Sequence, residues 1–276
     1  MWRLFSLTVI LAVTPFSQLV HASCLHGTSL LRRQVHGDKV EVSSFGYDDE
    51  IGPLLWASMN PNNTACHAGN NQSPIVLNAS IPDAPAVDIT IQSVHEAEIE
   101  NLGSTLEVIG LNGTTTFQDK PYFLKQFHFH TPSEHRIDSE YYPLEMHMVH
   151  ESADGSFVVV AVLFEVSDVH NSEFLLRVTE NLSSVQEPGS IGKTGALDLS
   201  ALSDELQTKP KYHYVGSLTT PPCREGVNFL VVKEALTVDV KTYNAMKKVM
   251  KFNARYTQNI LGRDNLLEMA AAQFTH

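Results

Sequence analysis

The chain has 276 residues, 43% of them hydrophobic, enough to bury one substantial core in one or two domains. Its formal net charge is −12 and it carries no basic cluster, which excludes nucleic acid as a partner. An acidic surface of this kind favours solubility and points to no particular ligand.

In chain order, Met1-Trp2-Arg3 gives a positive start, and Leu4 to about Leu19 is mostly apolar. Val20-His21-Ala22 then puts small residues where a signal peptidase cuts. The expectation is a signal peptide over 1–22, cleaved after Ala22, and a secreted protein. A membrane anchor fits less well, because Thr8, Thr14, Pro15, Ser17 and Gln18 interrupt a short span and no later apolar run has spanning length. Residues 23–44 form an N-terminal segment. The dibasic pair Arg32-Arg33 within it offers a second processing site, which would make the segment a propeptide.

Cys24, Cys66 and Cys223 are the cysteines, and an odd number in a secreted chain leaves one thiol over. N-x-S/T sequons stand at Asn62, Asn71, Asn78, Asn112 and Asn181, and Pro74 after Ser73 makes Asn71 the poorest acceptor. Val87–Ile91 alternates as a strand. So does Gln126-Phe127-His128-Phe129-His130, answered by Glu145-Met146-His147-Met148-Val149.

In the first of these two strands Gln126, His128 and His130 share a face. In the second Glu145, His147 and Val149 do, with Met146, Met148 and His150 behind. If the strands lie close in one sheet, three imidazoles converge, as a catalytic zinc requires: three neutral nitrogens and a fourth position for water. A lone strand histidine is more often structural, and thirteen histidines make chance pairs. Gln126 and Glu145 weigh against chance. Each lies two residues before a candidate ligand on the same face, where its oxygen can accept the second ring N–H of His128 or His147.

Phe157–Val166 is a continuous apolar run, read as a buried central strand. Phe174, Leu175, Val178 and Leu182 give 171–182 a helical spacing, and Asp198 to Leu206 holds another short helical turn. Gly226–Lys233 reads as a strand. Asp239 can cap a helix to about Lys251, with Val240, Tyr243, Met246, Val249 and Met250 as its apolar positions. Arg263–His276 reads as a tail or short helix, too short and polar for a lipid-anchor signal.

Taken together, Q-F-H-F-H at 126–130, S-E-H at Ser133–His135, E-M-H-M-V-H at 145–150 and G-S-L-T-T-P-P at Gly216–Pro222 resemble the α class of carbonic anhydrases. The similarity runs from about Phe45 to Leu261, with the motifs in the family's order. Phe45-Gly46-Tyr47 and Gly52-Pro53 through Trp56 are similar to its N-terminal lid, with Phe45 where Trp is usual. Gln72-Ser73-Pro74-Ile75 matches Q-S-P-I, and Asn253 through Gln258 resembles the closing N-x-R-x-x-Q.

The resemblance implies a mainly β (α+β) fold: one domain over 45–262, a central twisted, mostly antiparallel sheet with peripheral helices, and a tail over 263–276. It implies Zn²⁺ on His128, His130 and His147, with the backbone carbonyl of Asn253 serving His130. It also implies a Cys66–Cys223 disulfide. That bridge would close a loop of more than 150 residues, worth about 5 kcal/mol as an upper figure, and hold the Thr219-Thr220 loop. Cys24 would then leave with a propeptide or pair between chains, giving a homodimer.

By the same resemblance, Thr219 donates its one hydroxyl proton to Glu134 and accepts from the zinc-bound hydroxide, aiming it at substrate. Val149, already placed by strand alternation, is joined by Val159, Leu218, Thr220, Val227 and Phe229 around a pocket for apolar CO₂, with Phe229 where Trp is usual. His135 is expected to bond Glu145 and Tyr214, and His150 to face away. His26, His36, His170 and His276 have no supporting context. Ser104 stands where fast members carry a proton-shuttle His. Serine has no group titrating near neutral pH, so proton transfer is expected to be slow or buffer-dependent. His67, His95 and His213 are the candidate replacements.

The function implied is zinc-dependent reversible hydration of CO₂ to bicarbonate and a proton, by a carbonate dehydratase (a zinc lyase) with no nucleic-acid partner and no membrane span after signal cleavage. A catalytically weak anhydrase-related binding module is the alternative, and activated-ester hydrolysis a side reaction. Against the module, all three zinc histidines, Glu134 and Thr219 are present.

Overall fold

The computed structural model describes residues 23–169 and 172–274. The signal-peptide expectation for 1–22 lies outside the described residues, as do His170 and His276. Eleven strands form the main sheet: β1 Val87–Ile91, β2 Glu98–Asn101, β3 Leu106–Ile109, β4 Gly113–Phe117, β5 Lys120–His130, β6 Leu144–Glu151, β7 Phe157–Ser167, β8 Ile191–Lys193, β9 Lys211–Ser217, β10 Glu225–Val232 and β11 Leu236–Asp239. Across the sheet the order is β8-β2-β3-β5-β6-β7-β10-β9, with β4 joining β1 to β5 and β11 beside β7. Pairing is antiparallel except where β7 meets β10 and β11. The fold is thus mainly β, with a mostly antiparallel central sheet.

Strands β6 and β7 lie at the centre and are buried on both faces. Alternation divides β7. Val158, Val160, Val162 and Phe164 enter one apolar cluster with Phe127, Phe129, Met146 and Met148. Phe157, Val159 and Ala161 enter a second, with Val149, Val227 and Phe229. The first cluster is covered by helices at Glu173–Val178, Ser200–Thr208 and Val240–Met250, through Leu175, Leu202, Met246 and their neighbours. The histidines therefore fall on the face that the helices leave to loops.

Several elements differ from expectation at their ends. The helix expected over 171–182 stops at Val178, where Thr179 Oγ1 turns back to the Leu175 carbonyl at 2.8 Å, and a 3₁₀ turn follows at Leu182–Val185. Asp239 caps its helix by accepting from Thr242 N at 2.9 Å. Val240, expected to face the core, is 46% exposed, and Thr242 is buried in its place. As the first residue after the cap, Val240 starts the helix before its inward face is established. The tail forms a helix at Leu266–Ala272.

Cys66 and Cys223 are joined, 157 residues apart. The bridge packs with Phe45 and Trp56, whose rings meet edge-on at 5.4 Å, so the 45–56 segment and the Thr219–Cys223 loop share one anchor.

Candidate metal centre

The antiparallel register of β5 and β6 sets His147 directly across from His128, and Glu145 across from His130. Ala161 of β7 stands opposite His147 on the other side, a small residue that leaves the ring room. All three histidines are buried, and one ring nitrogen of each lies within 4.8 Å of the others. The remaining nitrogens are occupied: His128 Nδ1 pairs with Gln126 Oε1 at 2.8 Å, His130 Nδ1 with the Asn253 carbonyl at 2.8 Å, and His147 Nε2 with Glu145 Oε1 at 2.7 Å. Each bond puts the proton on the outer nitrogen and turns the inner lone pair toward a common point. His130 Nε2 is buried there with no hydrogen-bond partner, and three neutral imidazoles around such a point fit a divalent metal.

The electrostatics favour the neutral forms. Burial, with the neighbouring rings adding to it, holds His128 well below the usual imidazole range, and burial takes His130 to about 4. Burial also lowers His147, despite Glu145 beside it. Burial alone would push Glu145 up, but His135 and His147 hold it well below the usual carboxylate range. It accepts from the backbone N–H groups of Glu134 and His135 at 2.7 and 2.9 Å, and pairs with His135 Nδ1 at 2.6 Å. His135 Nε2 continues the chain to the Tyr214 hydroxyl at 2.6 Å.

Glu134 is buried, with Oε2 3.5 Å from His130 Nε2. Burial pushes it up to about 7, against the pull of His147 and of the neighbouring Thr219 hydroxyl. The Arg255 N–H donates to its other oxygen at 2.9 Å. Val149, Val159 and Phe229 stand opposite one another across three adjacent strands, and Leu218 and Val227 belong to the same apolar cluster. Thr220 is buried beside Thr219.

Ser104 is buried, with its hydroxyl 2.7 Å from that of Ser43 and its carbonyl accepting from Asn253 Nδ2 at 2.9 Å. Of the replacements considered, His213 lies on the opposite face of β9 from Tyr214, against Phe117 and 3.1 Å from Asn228 Oδ1. His67 and His95 are exposed. Asn62, Asn112 and Asn181 are exposed, and Asn71 and Asn78 half-buried.

Sequence reasoning missed the N-terminal segment. Cys24 is buried in the site, with Sγ 3.6 Å from His128 Nε2 and 3.6 Å from Thr219 Oγ1. This corrects the expectation of an interchain thiol, because no sulfur so enclosed can reach a second chain in this conformation. Burial, with the charge of Glu134 adding to it, pushes the Cys24 thiol up to about 11. His26, given no context above, pairs with Glu107 at 2.6 Å, and Glu107 is raised to about 7 by burial. No periodicity in 23–33 marks these contacts; they arise from chain more than 80 residues away.

The model of the eukaryotic-type carbonic anhydrase family matches residues 51–266. A carbonic anhydrase of Pectobacterium atrosepticum is 32% identical over 222 residues, covering 79% of this chain and 88% of that protein. Carbonic anhydrase Nec1 of Nesocodon mauritianus is 31% identical over 266 residues, 91% of this chain and 93% of the other. The solved fungal α-carbonic anhydrase of Aspergillus oryzae superposes with a TM-score of 0.81 at 40% identity, covering 83% of this chain and 99% of its own. With its site geometry and these likenesses over most of its length, the chain belongs to the α, or eukaryotic-type, carbonic anhydrase family.

Proposed function

We propose that this protein catalyses the reversible hydration of CO₂ to bicarbonate and a proton, with zinc held by His128, His130 and His147. The observation that carries the reading is the set of three buried imidazoles whose outer nitrogens are each fixed by a separate acceptor. Bound zinc supplies Lewis-acid chemistry that lets water ionise near neutral pH, a behaviour for which this enzyme family is itself the standard example.

The chain's own groups do the rest. Thr219 has one hydroxyl proton, and giving it to Glu134 leaves lone pairs that can orient a nucleophile's hydrogen. The Thr219 N–H can donate to a substrate oxygen. Val149, Val159, Leu218, Val227 and Phe229 offer CO₂ an apolar wall that water leaves readily. Ser104 carries no titrating group, so proton export depends on external buffer.

A second reading, a weak or non-catalytic member of the family, is favoured by one observation: Cys24 Sγ fills the space beside His128 and Thr219. The test is initial-rate CO₂ hydration across buffer concentrations in the Cys24→Ser background, beside the same protein with His128→Ala. We expect activity that rises with buffer and is lost with His128. A folded, zinc-loaded Cys24→Ser protein at background rate would favour the second reading. The site's position in a secreted, glycosylated protein is part of the proposal, with Asn62, Asn112 and Asn181 as the accessible acceptors.

A further inference from the structure

We infer that His26, Glu100 and Glu107 hold a second divalent cation, of the zinc and manganese kind, beside the three-histidine centre. The inference does not depend on that centre holding zinc. Paired strand positions build the site. His128 of β5 stands across from Glu107 of β3, and Glu107 stands across from Glu100 of β2. Side chains at directly opposed positions share a face of the sheet, so the two carboxylates extend the histidine row outward by one strand and then two. His26 comes to them from the N-terminal segment. One ligand atom from each of the three lies within 4.8 Å of the other two, and all three residues are buried.

The bonds within the cluster leave ligand positions open. His26 Nδ1 lies 2.6 Å from Glu107 Oε1 and 3.8 Å from Glu100 Oε2. Arg33 takes the other oxygen of Glu100, its Nε donating to Oε1 at 2.6 Å, and its guanidinium also reaches Glu98. Glu100 Oε2 and Glu107 Oε2 are buried with no hydrogen-bond partner among the described residues. A proton on His26 Nδ1 does not satisfy them: it serves Glu107 Oε1, and 3.8 Å is beyond hydrogen-bond range. The two buried carboxylates also set two negative charges against the one positive charge of Arg33. A dication on His26 Nδ1 and one oxygen of each carboxylate answers both deficits, which are costly when buried. Bonds of about 2.0–2.2 Å put ligand atoms about 3–3.5 Å apart, so the short contact opens and the long one closes by about half an ångström. Coordination replaces the proton between Nδ1 and Glu107, which moves to His26 Nε2 or, from a charged ring, to solvent. One imidazole with two carboxylates suits zinc or manganese better than calcium, which takes oxygen ligands. The ion ties the N-terminal segment to β2 and β3, next to where Leu25 and Leu31 enter the apolar cluster of Val149, Val159 and Phe229.

The test uses the protein with its N-terminal segment intact, stripped with a chelator, dialysed and titrated with Zn²⁺ by calorimetry, with bound metal counted by mass spectrometry. We expect two equivalents. His26→Ala and Glu100→Gln should each weaken one of them about 100-fold or more, because a residue that only supports a ligand is already worth about 10–100-fold. His128→Ala should lose the other equivalent and keep this one. Circular dichroism checks that each variant folds, and if His26→Ala does not, the isosteric Glu100→Gln decides. A single equivalent that survives both His26→Ala and Glu100→Gln overturns the inference and leaves His26 as a structural partner of Glu107. Two equivalents unchanged by either variant overturn it as well, since the second ion then sits elsewhere. A single equivalent kept by His128→Ala and lost in His26→Ala would uphold this site and sink the zinc reading of the three histidines. No bound metal at all would overturn both.

Discussion

Glu145 does more bonding than any ligand it serves. One carboxylate fixes the tautomer of His147, pairs with His135 and accepts two backbone N–H groups from the turn that carries Glu134. The histidine cluster and the backbone of the turn that carries Glu134 are therefore aligned by the same two oxygens. Glu145→Gln keeps the shape but has one acceptor oxygen where the carboxylate has two. Its amide would also present N–H to a donor. We expect zinc affinity to fall about 10–100-fold, measured by chelator competition. Unchanged affinity would show that the strand alone orients His147. The pairing of Glu145 with His147 was legible from two-residue spacing. That of His130 with the Asn253 carbonyl, 123 positions away, followed from the family motif, because a backbone acceptor leaves no side-chain signature of its own.

At the scale of elements, period-two alternation carried the most information. It divided Gln126–His130 and Glu145–Val149 into a histidine face and an apolar face, and the two clusters on either side of β7 are that division in three dimensions. Helix ends were less legible, since Thr179 closes its helix by a local hydroxyl bond that competes with a helical pattern otherwise able to continue. Asp239 is the clearest capping residue. Burial opposes its charge, but bonds from Thr242 and nearby N–H groups together outweigh it and hold its pKa below the usual carboxylate range. Its stabilising contribution is therefore present above the unfolded carboxylate pKa and is lost as pH falls through the lowered folded value. Asp239→Ala should cost about 1 kcal/mol at pH 7 in a denaturant titration, and that difference should shrink toward zero in acid. A pH-independent difference would mean that the loss comes from packing.

For the whole molecule, the Cys66–Cys223 bridge ties the aromatic cluster of Phe45 and Trp56 to the loop bearing Thr219. Gln72 Nε2 donates to the Cys223 carbonyl at 3.0 Å, and Arg255 reaches the Cys66 carbonyl at 3.1 Å, so the anchor is shared with the Q-S-P-I and closing motifs. Closing a loop of this length limits the unfolded chain by about 5 kcal/mol in the entropy model. Cys66→Ser/Cys223→Ser should lower stability by about 2–5 kcal/mol, read from thermal or denaturant midpoints under matched conditions. A larger loss of CO₂ hydration than of folded protein would show that the bridge also positions Thr219. No change in either midpoint or rate would remove both roles.

By itself the sequence determined five of the strands, the histidine face on two of them, two of the histidines' acceptors and, through its motifs, the family. These are features of local period and of residues whose chemistry is specific to type. The tertiary structure alone decided that Cys24 lies beside His128, 104 positions away, and that His26 meets Glu107. Those contacts depend on how an irregular segment folds back over a finished sheet, and no two-residue or three-residue repeat encodes that path. A cysteine near the N-terminus reads as a spare thiol until the sheet supplies the His128 nitrogen and the Thr219 hydroxyl beside it.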